Sequence, residues 1–490
     1  MEPKSLKLNF MMNAILTMSS LIFPLITFPY VSRILLPTGT GIVAFATSVV
    51  TYFAMFAQLG IPIYGIRACA RVRDDKELLT KTAQEIFIIN LVMSFLVYII
   101  FVIVIFKVPR LQDEKLLFAV LSLMILFNAI GMEWLYKALE QYTYITVRSI
   151  IFKVIALIAM FFLVHQQSDY VIYGGVSIFA SSASGVLNFI NVHKYIGIKP
   201  VGHYEFKKHL NLIVIFFAMS CATTIYTNLD QVMLGFMTTN ADVGYYNAAV
   251  KIKTILVSIV TSLGVVLLPR ASYFLEHGLQ DEFLSITQKA INFVMLLAAP
   301  LMLYFILFAH EGILVLSGTT YNPAVLPMQI IMPTLVFIGL TNIMGIQMLI
   351  PMGQEKIVLY SEIAGAVVNL VVNFVLIPVL ASIGTSIGTL AAEIIVWVIQ
   401  YIALRKVIST SYKRIRYFFL VLALFLGSAT SIWMKLLPIN NFLIMLFSAI
   451  VFFGVYVLVL TFAKEPLVLT IEGQALKKIG SLLGKRSNNA

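Results

Sequence analysis

Apolar residues run through this chain in long, unbroken stretches, and the polar residues gather in short segments between them. Each stretch of eighteen or more apolar residues can cross about 30 Å of hydrocarbon as an α-helix. In lipid, only helices and closed barrels satisfy their own backbone groups. The stretches do not alternate with period two, so the pattern predicts helices rather than barrel strands. Fourteen spans are expected, roughly over residues 9–31, 41–66, 82–106, 116–138, 147–165, 171–192, 210–236, 244–268, 290–310, 324–350, 357–378, 384–404, 417–435 and 442–463. The expected fold class is therefore an all-α polytopic membrane protein with about fourteen transmembrane helices. An even number places both termini on one side.

Composition agrees with this pattern. Of 490 residues, 60% are hydrophobic and 11% charged, against about 25% charged in soluble domains. Mean hydropathy is +0.96. The first residues, with Lys4 and Lys7, look like the start of a signal peptide. The run that follows holds Pro24 and Pro29 and no small-x-small cleavage site, and is expected to stay as the first span. Cys69 and Cys221 are far apart and predict neither a disulfide framework nor a zinc site.

The net charge of +12 reads as a topology signal rather than a nucleic-acid footprint. With the N-terminus in the cytoplasm, 26 of the 34 Lys and Arg residues fall in cytoplasmic segments and 5 outside, leaving Lys153, Lys251 and Lys253 within spans. This bias predicts both termini inside, in a bacterial plasma membrane. The tail after Lys464 carries Leu476, Ile479, Leu482 and Leu483 among lysines. It predicts either a surface amphipathic helix or a basic tail.

A weak internal repeat divides the chain. Gly41-Ile-Val-Ala-Phe-Ala46 corresponds to Gly244-Tyr-Tyr-Asn-Ala-Ala249, and Arg67 to Arg270, both at an offset of 203 residues. The expected organisation is a six-helix bundle over residues 1–200 and a second over 201–410, related by a parallel repeat. Extra helices 13 and 14 follow in 411–463, and a cytoplasmic basic tail in 464–490.

Catalytic motifs have little support. Gly384-Thr-Ser-Ile-Gly388 matches a nucleophile elbow but lacks a preceding strand and a histidine partner; a small-residue packing face is the plainer reading. Asp74 and Asp75 are compatible with a metal–diphosphate site, but their place before a span suits helix capping better. No phosphate loop is present, and no cofactor, nucleic acid or metal is expected. Charges inside spans are more informative, since each costs at least about 2.5 kcal/mol at the bilayer centre. Lys251 and Lys253 lie in the eighth span, Lys153 in the fifth and Glu393 in the twelfth, while Arg33, Asp230, Arg67 and Arg270 lie at span ends. They read either as structural pairs and snorkelling residues or as the lining of a water-filled cationic cavity suited to a diphosphate. Gln58, Asn128, Asn228, Asn247, Asn342, Gln347, Asn369 and Asn373 add uncharged donors and acceptors inside spans.

Several long segments resemble the Wzx-type polysaccharide flippases of the multidrug/oligosaccharidyl-lipid/polysaccharide exporter superfamily. They include PYVSRILLPTGTGIVAF (29–45), LGIPIYGIRACARVRDD (59–75), GMEWLYKALEQYTYITVRSIIFK (131–153), VGYYNAAVKIKTILVSIVTSLGVVLLPRAS (243–272) and LYSEIAGAVVNLVVNFVLIP (359–378). The resemblance implies fourteen helices in two bundles that carry undecaprenyl-diphosphate-linked oligosaccharides to the outer leaflet by alternating access. It places Arg33, Lys251, Lys253 and Arg270 at the substrate. The residues themselves add Lys153 and Asn247 as contacts, and Asp230 and Glu393 as ion-pair or coupling carboxylates. Membrane potential or an ion gradient would supply the energy. Membrane lipids, a polysaccharide polymerase and glycosyltransferases would be partners. A cation-coupled small-molecule antiporter of the same superfamily, or less readily a polymerase or glycosyltransferase, is the alternative.

Overall fold

A computed structural model describes residues 6–413, 416–470 and 473. The tail read from sequence as amphipathic or basic lies largely outside these residues. The described residues are helical throughout their regular structure, with no strand among them.

The first helix, α1 (Leu6–Gln58), absorbs what the hydropathy pattern separates into two spans and a loop. It bends at Leu36, where φ is 59° and ψ is 177°. Pro37 lacks an N–H and excludes helical geometry from the residue before it, which localises the break to one residue. Such a backbone costs about 1–3 kcal/mol at a residue with a side chain. Gly60 (φ 71°) then turns the chain into α2 (Ile61–Arg71). A side chain there would also meet the backbone of Phe216 at 2.5 Å.

Asp75 starts α3 (Lys76–Lys107), accepting the backbone N–H groups of Glu77 and Leu78 at 3.0 Å. Its carboxylate thus caps the helix, satisfying N–H groups that have no intrahelical partner. There follow α4 (Pro109–Gln112), α5 (Lys115–Gly131), α6 (Glu133–Ala138), α7 (Tyr142–Leu163), α8 (Tyr170–Ile178) and α9 (Gly185–Asn191). The expected span 116–138 is therefore interrupted at Met132 (φ 42°), and the expected span 171–192 by a π-helical turn over Phe179–Ala183.

The long helices α10 (Lys207–Met237), α11 (Asn240–Glu276) and α12 (Gln280–Leu307) come next. Then follow α13 (Ala309–Ser317), α14 (Val325–Ile331) and α15 (Thr334–Thr341), the last running into a second π-helical stretch, Asn342–Leu349. The chain closes its described part with α16 (Glu355–Leu380), α17 (Ser382–Lys413), α18 (Tyr417–Ser431) and α19 (Asn441–Phe462).

Among the described residues, nine helical runs are long and apolar enough to cross a membrane, or ten if the bent pair Thr319–Ile331 and Thr334–Leu349 is one span. Two runs, 8–71 and 355–408, are 64 and 54 residues long. Large apolar side chains point outward on many of them: Phe95, Phe106, Phe374, Val379 and Phe418 are 62–78% exposed. Apolar surface on this scale calls for lipid as its solvent. The chain is a multi-pass membrane protein.

The helices gather into two compact units. One holds residues 1–247 and 373–382, the other 248–372 and 383–490. Helices α11 and α16 each contribute residues to both. In the first unit, Ile61, Leu79, Ile86, Trp134 and Leu135 form a buried core where α2, α3 and α6 meet. In the second, Val260, Ile291, Val294, Met344 and Leu404 do the same for α11, α12, α17 and the second π-helical stretch.

One close approach in the first unit joins two segments already singled out as repeats. A Cβ added to Gly41 on α1 would lie 1.7 Å from the carbonyl oxygen of Asn240 and 2.8 Å from the amide nitrogen of Gly244. One added to Gly244 would lie 2.0 Å from the Pro37 oxygen. The two backbones touch without intervening side chains, as small residues allow.

Candidate functional site

In the first unit, Asp230 on α10 is 6% exposed. The Tyr246 hydroxyl donates to its Oδ2 at 2.5 Å and Asn373 Nδ2 donates to its Oδ1 at 2.6 Å. Span-end position 230 is thus part of a buried polar cluster, and Asn373, picked from sequence only as a polar residue within a span, completes it. Beside it, Ser48 donates to Gln231 at 2.7 Å, and Asn247 is buried next to Tyr246 on α11.

Lys153 on α7 reaches α1, donating to the hydroxyls of Ser19 at 2.9 Å and Ser20 at 2.8 Å. Its side chain is half-buried, and the serines supply neutral acceptors. Arg33, one turn before the Leu36 break, is exposed and donates to the carbonyl oxygen of Pro29.

Lys251, Lys253, Arg270 and Glu393 belong to the second unit. The two lysines are half-buried, and Glu393 on α17 is 5% exposed. Arg270 is exposed at the wall of an open cleft of about 710 Å³, which it shares with Phe274, Asp281, Glu282, Lys289 and Phe293. That cleft carries both signs of charge. The predicted residues therefore sit in distinct surroundings: a buried hydrogen-bonded carboxylate, a serine-held ammonium, and a guanidinium in a mixed-charge cleft.

Three charged clusters lie outside the residues picked from sequence. Glu85 on α3 is fully buried and accepts from Lys208 at 3.0 Å, His209 Nε2 at 2.7 Å and the backbone N–H of Glu205 at 2.7 Å. His209 Nδ1 lies 2.5 Å from the Tyr64 hydroxyl. The signal was present: Glu85 is a carboxylate inside an apolar run. Outside the spans, Glu205 pairs with Lys81 at 3.2 Å. The hydrogen bond from Lys81 holds the Glu205 carboxyl below its ordinary range. Arg148 is 4% exposed and bridges the Ser184 carbonyl at 3.0 Å and Glu133 at 3.5 Å, while Lys137 meets Glu133 at 2.8 Å. Position 148 looks like a topology charge in the sequence but is buried in the first unit. Lastly, Lys435 lies 3.4 Å from the buried Glu311.

Hydroxyls, amides and paired charges of this kind can hold an uncharged polar or an anionic ligand. Among the described residues no group of His, Cys, Asp and Glu could hold a metal ion.

Comparison with known proteins gives this arrangement a context. Residues 6–275, more than half of the chain, match the model of a family described as polysaccharide biosynthesis protein. The chain belongs to that family. Relatives similar to it include a protein of Escherichia coli (strain K12) named as a candidate O-antigen transporter, 25% identical over 72% of this chain and 85% of the relative. A protein of Shigella dysenteriae with the same name is 23% identical over 74% and 91% of the two chains. Among solved structures, this polysaccharide biosynthesis family member shares its fold with the lipid II flippase MurJ in an inward closed conformation. The TM-score is 0.71 at 14% identity, over 94% of this chain and all of the other. An inward-facing multidrug resistance MATE transporter of the MOP superfamily matches with TM-score 0.63 and 14% identity, over 80% of this chain and 95% of the other.

Proposed function

We propose that this chain is a flippase carrying undecaprenyl-diphosphate-linked oligosaccharide units from the cytoplasmic to the outer leaflet of the plasma membrane, for O-antigen, capsule or a related surface polysaccharide. The supporting observation is that two candidate O-antigen transporters align with it over 85% and 91% of their lengths, on a fold shared with a lipid II flippase. Fourteen crossings are proposed, with both termini cytoplasmic. The runs 8–71 and 355–408 are each long enough for two, at about 20 residues per crossing. The other crossings are assigned to α3, α5, α7, α8–α9, α10, α11, α12, α14–α15 with the second π-helical stretch, α18 and α19. The two six-helix repeats offset by 203 residues are part of the same reading.

Transport proceeds by alternating access. The prenyl tail stays in lipid while the head group is exposed first to one face and then to the other. Arg33, Lys153, Lys251, Lys253, Arg270 and Asn247 are assigned to the head group, the cations to diphosphate oxygens. Asp230 and Glu393 are the coupling candidates. An inside-negative potential favours outward movement of a doubly negative head group by about 2.3 kcal/mol per charge per 100 mV. No cofactor is assigned; a polymerase and glycosyltransferases are proposed as neighbours in assembly.

The MATE-like fold supports a rival reading, a cation-coupled small-molecule antiporter. Complementation of a strain lacking its polysaccharide flippase separates the two. Restored surface polymer with wild type, and lipid-linked oligosaccharide retained on the inner leaflet with Lys253→Ala or Arg33→Ala at equal expression, is the expected result. Failure in several hosts of different repeat-unit structure, with drug efflux intact, would replace the flippase with the antiporter.

A further inference from the structure

In the second unit, the open cleft of about 710 Å³ beside Arg270 is lined by the end of α11, the start of α12 and the segment that follows α19. We propose that it binds the head group of a primary-amine phospholipid of the phosphatidylethanolamine type, with the lipid's chains along the apolar part of the wall. That part is built from Leu267, Phe274, Ile286, Phe293 and Leu467. Its third side is pinned in place. Glu465, 4% exposed, accepts from Asn292 Nδ2 on α12 at 2.9 Å, which holds the chain leading to Leu467 and Thr470 against that helix.

Two cations, Arg270 and Lys289, share this cleft with two carboxylates, Asp281 and Glu282. All four side chains are exposed and within reach of a ligand. Among the described residues none of them forms an ion pair. Each charge has an ordinary local cause. Asp281 and Glu282 stand in the first turn of α12, where the helix dipole favours carboxylates. Arg270 and Lys289 flank the expected spans 244–268 and 290–310, where long cationic side chains reach for the interface. Neither cause accounts for opposite charges that line one apolar-walled cleft and leave each other unpaired.

The order of these groups along α12 selects the ligand. Asp281, Ser285, Lys289 and Phe293 follow at four-residue steps, which puts them on one face of the helix, about 6 Å apart along its axis. Phe293 lies inside the expected span, Lys289 at its end, and the carboxylates about two turns farther out, in the head-group layer. A phosphatidylethanolamine presents its groups in the same order: acyl chains, then a phosphate diester, then an ammonium two carbons beyond. Lys289 donates to the phosphate oxygens, and the carboxylates, which only accept, take the ammonium N–H groups. An anionic head group without an amine would set its outer end against two carboxylates. A choline head group has the positive charge but no N–H to donate. Arg270 is already assigned to the transported head group, so Lys289 alone is taken as the phosphate ligand, and the site stands whether or not the chain is a flippase.

The experiment uses the full chain, stripped of lipid in detergent. It is titrated in native mass spectrometry with phosphatidylethanolamine, phosphatidylcholine and phosphatidylglycerol of identical acyl chains. Wild type is expected to bind phosphatidylethanolamine about fivefold more tightly than either of the others. The double variant Asp281→Asn, Glu282→Gln keeps the side-chain volumes and should bring phosphatidylethanolamine down to the level of phosphatidylcholine. Lys289→Ala should weaken both of these lipids alike. The three side chains are exposed, so the melting temperatures of both variants should match wild type. Equal binding of the three lipids by wild type, a preference for phosphatidylglycerol, or a preference for phosphatidylethanolamine that survives both variants would overturn the site and leave the cleft to bulk solvent and lipid.

Discussion

Replacing Gly41 by alanine tests the contact that joins α1 to the start of α11. The added methyl would sit 1.7 Å from the Asn240 oxygen, and real Cβ atoms essentially never come closer than 3.0 Å. The helices must therefore separate locally by about 1.3 Å, the difference of those two values. The obstacle is backbone, which has no rotamer to change. Overpacking costs about 1–3 kcal/mol, and a rigid obstacle puts this site at the upper end. At about 2–4 °C per kcal/mol for a unit of this size, the melting temperature should fall by roughly 6–12 °C. Gly454→Ala on α19 is the control, because a Cβ there meets nothing within 4 Å. Size-exclusion melting curves in detergent for wild type and both variants supply the measurement. A Gly41→Ala protein that melts with wild type and with Gly454→Ala would refute the close approach and the reasoning built on it.

Three further outcomes are expected. Asn373→Leu removes a donor from the buried Asp230 and should lower stability by about 1.5–3 kcal/mol, read as a melting shift that Asn373→Ser partly restores; an unchanged melting curve would count against the cluster. Glu85→Ala leaves Lys208 and His209 without their shared acceptor and should cost about 2 kcal/mol or more, with Glu85→Gln milder; equal stability of both variants and wild type would show that the acceptor is dispensable. Glu205 has a depressed folded-state pKa, so its pairing stabilises above the ordinary Glu value of about 4.3 and is lost as pH falls through the lower folded value. The melting difference between wild type and Glu205→Gln should thus be small at neutral pH and vanish in acid or high salt; a difference that grows in acid would reverse the assignment.

Local chemistry proved the most legible part of the chain. Asp75 before an apolar run announces a helix cap, and its carboxylate makes both capping bonds. Helix existence was equally clear, because run length against hydrocarbon thickness depends on composition alone. Interruptions were not. Hydropathy cannot distinguish a loop over residues 32–40 from a one-residue break at Leu36, since Ile34, Leu35 and Leu36 are apolar either way. The π turn at Phe179–Ala183 leaves no mark in an apolar pattern. Side-chain partners are set by tertiary packing: Lys153 was visible as an intramembrane cation, but Ser19 and Ser20 lie 134 and 133 positions away and carry no signal of their own. Arg148 reads as an orientation charge because its position at a span boundary says nothing about the Ser184 carbonyl that receives it.

The π turn over Phe179–Ala183 amounts to a single residue threaded into an otherwise α-helical run. Each residue of an α-helix advances the side chains by about 100° around the axis. The turn therefore works as an angular shim, setting which of the following side chains looks toward Gly131 without altering any of their identities. Removing one residue there would let the run relax to plain α geometry and swing Asn188 away from the Gly131 carbonyl that it now meets at 2.7 Å. A change of length at this point thus acts in a way no substitution does: it deals the whole face anew, presenting different side chains to α5, whose backbone a Cβ on Gly185 would meet at 2.7 Å.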